Sequence, residues 1–194
     1  MENIKINPEK TALVVIDMQK GILSMQRPFE PYSSAQIIDN VVMLVNKFRS
    51  INSNIILVHV NSHDGKDMLK PLVDAAPAWN LGERPKDWSD FISQLNKSDK
   101  DIIITKRQWG AFHGTELDLQ LRRRNIDTIV LCGISTNIGV ETTAREAYQY
   151  GYNQIFAIDA MTASSKEEHD ATQKFIFQRI GLIRSTKDIL AMFE

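Results

Sequence analysis

The sequence predicts an α/β fold: a three-layer αβα sandwich with a six-stranded parallel sheet between two helical layers. Three observations point there. Short apolar, β-branched runs alternate with amphipathic stretches from one end of the chain to the other. The runs are continuous rather than alternating apolar and polar, as strands covered on both faces are. The 194 residues contain no linker-like or low-complexity tract, and this length suits a single domain, 1–194, with a substantial core. Right-handed crossovers make the doubly wound form the natural solution, with strand order 3-2-1-4-5-6.

Taken in order, Thr11 to Ile16 (TALVVI) reads as a central strand with Asp17 at its tip. Gly21, Pro28 and Pro31 make 18–34 a loop. Ala35 to Ile51 is the clearest helix, with Ile38, Val41, Val42, Val45 and Phe48 on one stripe and Asn52 as C-cap. Ile55 to Val60 is the second strand. Residues 61–100 are irregular, with Pro71, Pro77, Pro85, Trp79 and Trp88, and one short helix is expected around Trp88, Ile92 and Leu95. A connection of that length inside a domain usually has a functional role. Ile102 to Thr105 is the third strand, followed by Lys106 and then a helix from Thr115 to Arg124. Thr128 to Cys132 is the fourth strand, broken by Gly133. Val140, Ala144, Ala147 and Tyr148 recur at helical spacing before a stop at Gly151. Ile155 to Ile158 is the fifth strand. Ser164 and Glu167 suggest a capping box, opening a helix to about Arg179. Ile180 to Ile183 is the sixth strand, and Ser185 opens a last helix through Leu190.

The formal net charge of −1 gives no electrostatic footprint for nucleic acid or a membrane surface. The single cysteine, Cys132, cannot form an internal disulfide, which suits a reducing compartment, and a cytoplasmic protein is expected. The N-terminal stretch lacks a signal-peptide pattern, and no apolar run approaches the roughly 20 residues of a membrane span. No nucleic-acid or membrane partner is expected.

Chemistry is expected where three strands end in polar residues: Asp17, Lys106 and the turn from Gly133 to Gly139. In a doubly wound sheet the ligand crevice lies at the carboxyl ends of the strands, at the switch point between strands one and four. Asp17 and the turn would face each other there, and Lys106 must reach inward from two strands away. Cys132, inside an apolar strand, reads as a core residue. Ser135 and Thr136 carry hydroxyls, but no histidine adjacent in sequence would activate them. Arg122, Arg123 and Arg124 sit in the last turn of a helix, where cations complement the dipole. Trp109 and Phe112, close behind Lys106, are candidate pocket walls, and Arg107 could pair with a substrate carboxylate or be a surface charge. A nucleotide-dependent oxidoreductase on this Rossmann-like sheet lacks its G-x-G-x-x-G after the first strand.

VVIDMQ, TKRQWGAFHGTELD and LCGISTNIGVETTARE together resemble the isochorismatase-like hydrolase family, which includes nicotinamidases and N-carbamoylsarcosine amidases. The resemblance runs from Thr11 to about Ser164 and implies a small-molecule hydrolase, usually a homo-oligomer such as a dimer or tetramer. In the cysteine hydrolases an Asp, a Lys and a Cys form the catalytic set. The first two match Asp17 and Lys106; the Cys falls at Gly139, which has no nucleophile, so thioester chemistry cannot run there. Isochorismatases proper also lack that Cys and cleave a vinyl ether with the Asp as general acid, without a covalent adduct. The candidate substrate contacts are Ile134, Ser135, Trp109, Phe112, Arg107 and Gln19. The resemblance also implies a cis Ile134–Ser135 peptide that turns backbone N–H groups into the crevice. The metal-binding region of nicotinamidases reads HVNSHDGKD here, with His59 in the strand and His63 and Asp64 adjacent, so neither metal nor other cofactor is expected. A binding protein that kept the pocket and lost turnover is the alternative reading.

Overall fold

The computed structural model describes residues 4–74 and 85–193, and within them the apolar runs form one sheet. Its strands are β1 (Thr11–Ile16), β2 (Asn54–Val60), β3 (Ile102–Lys106), β4 (Thr128–Ile134), β5 (Asn153–Thr162) and β6 (Leu182–Arg184). All pairings are parallel, in the order β3-β2-β1-β4-β5-β6. The order turns back between β1 and β4, so the tips of these two central strands flank the crevice.

The helices are α1 (Lys20–Leu23), α2 (Ser34–Ser50), α3 (Leu117–Arg123), α4 (Glu141–Gln149), α5 (Lys166–Thr172), α6 (Gln178–Ile180) and α7 (Thr186–Ala191). Side chains alternate across β1 and so feed two cores. Ala12, Val14 and Ile16 pack with Leu117, Leu121, Ala144, Ala147 and Phe177 of one helical layer. Leu13 and Val15 pack with Ile37, Val41, Leu44, Val45 and Phe48 of α2 and with Ile189 at α7. Double coverage explains why the strands read as unbroken apolar runs.

Local signals placed most boundaries and missed some by a residue or two. Ser33 caps α2 through a capping box with Gln36, and Asn52 beyond the helix is left-handed at φ +52°. Asn125 and Gly151 end α3 and α4 in the same conformation. The cap of α5 is Ser165, whose side chain accepts from Glu168 N, rather than Ser164 with Glu167. The helix expected to run on to Arg179 passes through a wider π turn at Gln173–Phe177. Around Ile92 only a short 3-10 turn, Ser93–Leu95, forms. β5 runs to Thr162, beyond the expected Ile158, past an irregularity in its pairing with β4 between Leu131 and Gly133. Pro77 and Trp79 lie outside the described residues.

Gly133 sits where β4 approaches the end of β1 closely. Its φ is +113°, and a Cβ there would stand 2.0 Å from the carbonyl oxygen of Ile16. Gly151 also has a positive φ, +79°, but nothing lies within 4 Å of its would-be Cβ. Gly151→Ala is therefore expected to lose about 1 kcal/mol of unfolding free energy. Gly133→Ala should lose at least about 3 kcal/mol or fail to fold. Urea denaturation of the two variants checks this, and equal losses would contradict it.

Candidate active site

Asp17 follows the last residue of β1 and adopts φ +54°, a left-handed conformation that Asp tolerates better than most residues. Its amide donates to Val58 O at 2.9 Å, and its carbonyl accepts from Gln19 N at 2.8 Å. The side chain is almost wholly buried. Lys106, the last residue of β3, reaches past β2 to it, with Nζ 2.9 Å from Asp17 Oδ2. The same ammonium donates to Trp109 O at 2.6 Å. The long side chain thus bridges the two-strand separation imposed by the strand order.

The turn after β4 completes the group. A Cβ on Gly139 would lie 3.2 Å from Asp17 Oδ2 and 3.2 Å from Lys106 Nζ, so position 139 faces the ion pair directly. Thr143 of α4 fixes that approach. Its hydroxyl donates to Gly139 O at 2.7 Å and accepts from Ala111 N at 3.1 Å, joining the turn to the loop behind Lys106. Glu146, one helical turn on, accepts from Phe112 N at 3.0 Å. The Ile134–Ser135 peptide is cis, as the resemblance implied.

Electrostatics at Asp17 is a contest. Burial pushes its carboxyl above the ordinary range; the charge and hydrogen bond of Lys106 pull it down, and burial prevails. Oδ2 is engaged by Lys106, whereas Oδ1 is buried and bonds to no group among the described residues. A carboxyl with one anchored and one uncommitted oxygen, held toward its neutral form, is suited to donate or accept a proton.

Other expected site residues scatter. Gln19 is fully enclosed: its amide donates to Val60 O and Trp88 O and accepts from Val60 N, so it is bound to the end of β2. Phe112 is a core residue, stacked on Tyr150 with ring centroids 5.3 Å apart. Trp109 offers its backbone to Lys106 while its indole is largely exposed. Arg107 is paired with Asp67 at 2.7 Å. Ser135 and Ile134 are buried beside the turn. His59 spends both ring nitrogens, on Ser89 O at 2.7 Å and Thr105 Oγ1 at 2.8 Å. Cys132 is buried in β4, and burial pushes its thiol well above its ordinary pKa.

Three groups were missed. Arg27, in the loop after α1, donates to Ser135 Oγ at 2.9 Å and to Ser164 Oγ at 3.2 Å. Thr143 and Glu146 looked like ordinary helix residues. His169 of α5 shares a 2.8 Å hydrogen bond with Thr136 Oγ1, although no histidine is near Thr136 in sequence. Both partners are enclosed, and burial holds the imidazole below its ordinary pKa. Partners more than thirty residues apart leave no local signal.

The chain is similar to several known proteins. The Isochorismatase domain model matches residues 11–188. The isochorismatase family protein YwoC of Bacillus subtilis is 54% identical over 190 residues, covering 98% of this chain and 97% of its own. The ureidoacrylate amidohydrolase RutB of Serratia proteamaculans is 28% identical over 181 residues, covering 82% of this chain and 72% of its own. An isochorismatase family protein from Burkholderia thailandensis superposes with a TM-score of 0.90 at 40% identity, covering 97% of both chains.

Removing Lys106 isolates a buried carboxylate. Lys106→Met is expected to lose about 3–5 kcal/mol of stability at neutral pH. With its pKa raised further in the folded state, Asp17 disfavours folding most at high pH, and the loss should shrink as acidification neutralises it. Denaturant unfolding across pH checks this; a loss that grows toward acid would contradict it.

Proposed function

The chain belongs to the isochorismatase family of hydrolases, and from that premise we propose that it hydrolyses a small molecule by proton transfer from Asp17, without a covalent enzyme intermediate. One observation carries the proposal. Position 139 faces the Asp17–Lys106 pair at 3.2 Å, where cysteine hydrolases would carry their nucleophile, and it is a glycine. What stands at the pair is an acid and a cation. Asp17 Oδ1 gives a proton to the vinyl carbon of an enol ether, water adds to the oxocarbenium carbon so formed and returns a proton to the carboxylate, and the hemiketal then breaks its ether C–O bond to release a ketone and an alcohol. Lys106 holds Asp17 in place and keeps the local charge from turning negative. Where the substrate is an amide or ureido compound, the backbone N–H groups of the turn after Ile134 would stabilise the negative charge that water attack places on its carbonyl oxygen.

Vinyl ethers fit this route, since carbon protonation activates them for water. Amide and ureido compounds are the other classes to test, because a relative is a ureidoacrylate amidohydrolase. Binding without turnover, the alternative reading, gains no support from relatives with hydrolase names. Assembly into a homo-oligomer belongs to the same proposal.

The test is a panel of vinyl ethers, amides and ureido compounds with purified protein. Asp17→Asn, nearly isosteric, is expected to lose at least about a hundredfold in kcat/KM while keeping its fold. Because Asp17 must carry its proton, activity should hold below its raised pKa and fall as pH rises through it. Alkylating reagents should leave the folded enzyme active, since its one thiol is buried in β4. Loss of activity on labelling Cys132 without unfolding would refute the proposal, as would full activity in Asp17→Asn.

A further inference from the structure

We infer that Arg27 forms an anion subsite beside the turn that carries Gly139, and that it reads a carboxylate on the substrate. The inference rests on the hydrolase reading above and adds a substrate class to it. The loop bearing Arg27 is stitched to the end of β5. Glu30 N donates to Ala163 O at 3.0 Å, Ala163 N donates to Glu30 O at 2.9 Å, and Thr162 Oγ1 bonds to the carbonyls of Glu30 and Tyr32. The guanidinium lies 5.2 Å over the ring of Phe29, and its two terminal nitrogens donate to Ser135 Oγ and Ser164 Oγ. It is therefore held in place from three sides.

Two features distinguish this group from a structural cross-link. A neutral amide could make two bonds to hydroxyls; Arg27 also brings a charge and a third donor. Its Nε is buried and has no hydrogen-bond partner among the described residues. No described carboxylate comes within ion-pair distance. Glu168 acts on it only through space, its carboxylate accepting instead from Ser164 N at 3.1 Å. Burial opposes the charge, and a ligand anion would offset that cost. Each serine oxygen that accepts from Arg27 still has its own hydrogen to donate. The cluster thus offers a charged N–H and two hydroxyl donors, a set that suits a carboxylate.

Ser135 connects the cluster to the reaction centre. Its carbonyl accepts from Ile138 N and Val140 N, both at 3.1 Å, so the residue gripped by Arg27 is the one on which the Gly139 turn is built. An anion on Arg27 would hold its substrate against the turn that faces Asp17 and Lys106.

The experiment compares matched probes: 2-methoxyacrylate and N-carbamoylglycine, each against its methyl ester. Kd is measured by calorimetry, or KM where hydrolysis is seen. The intact wild-type protein is expected to prefer each carboxylate by at least about tenfold. In Arg27→Gln the ratio should fall to near one, whatever loss of affinity the acid and the ester share. Arg27→Lys should keep part of it, since an ammonium is a point charge and not a fork. Circular dichroism and thermal unfolding establish that the variants are folded. If Arg27→Gln does not fold, the wild-type ratio and its narrowing in Arg27→Lys decide. No wild-type preference, failure of both carboxylates to bind, or a preference that survives in folded Arg27→Gln overturns the inference. Equal hydrolysis of acid and ester would leave the hydrolase reading standing without this subsite. A carboxylate preference lost in Arg27→Gln, with no turnover anywhere on the panel, would do the reverse.

Discussion

A buried ammonium held against a buried carboxylate sets the terms for the rest of this structure. Lys106 and Asp17 end strands that are not neighbours, yet their charged atoms are 2.9 Å apart. Taking either charge out of water alone would cost several kcal/mol, and the pair is tolerable only with good geometry and further hydrogen bonds. The surroundings supply these. Trp109 O accepts a second hydrogen bond from Lys106, and Gln19 is bonded to Val60 at the end of the intervening β2. Gly133 lets β4 come close enough to β1 for the following turn to meet the pair, and Thr143 holds that turn. Any side chain at position 139 would press on both charges.

Around this pair the charges are unevenly matched. Lys106 offsets Asp17, while Arg27 has no carboxylate within ion-pair distance among the described residues. Glu168 acts on Arg27 only through space, which leaves the guanidinium free to meet an anionic ligand.

The architecture was readable because its signals are local. Continuous β-branched runs mark strands covered on both faces, and Asn52 and Gly151 mark helix ends by short-range chemistry. Asp17, Lys106 and the turn were readable as strand-end residues, with the motif resemblance narrowing the choice. Where each side chain spends its contacts was not legible. Gln19, Phe112 and Arg107 lie near the site in sequence but are committed to β2, to the aromatic core and to Asp67. Arg27 and His169 were passed over because their partners Ser135 and Thr136 are 108 and 33 residues away. One-residue slips, such as Ser165 rather than Ser164 capping α5, arise where neighbouring serines offer the same chemistry.

The central claim is that burial outweighs Lys106 and holds Asp17 toward its neutral, proton-donating form. Carbon-13 NMR of the aspartate carboxyls, with Asp17 assigned by its loss in Asp17→Asn, measures this without a substrate. The account predicts that Asp17 titrates clearly above the ordinary carboxylate value of about 3.9. A titration at or below that value would mean that Lys106 wins, that the carboxyl is ionised throughout the working range, and that it is not the proton donor.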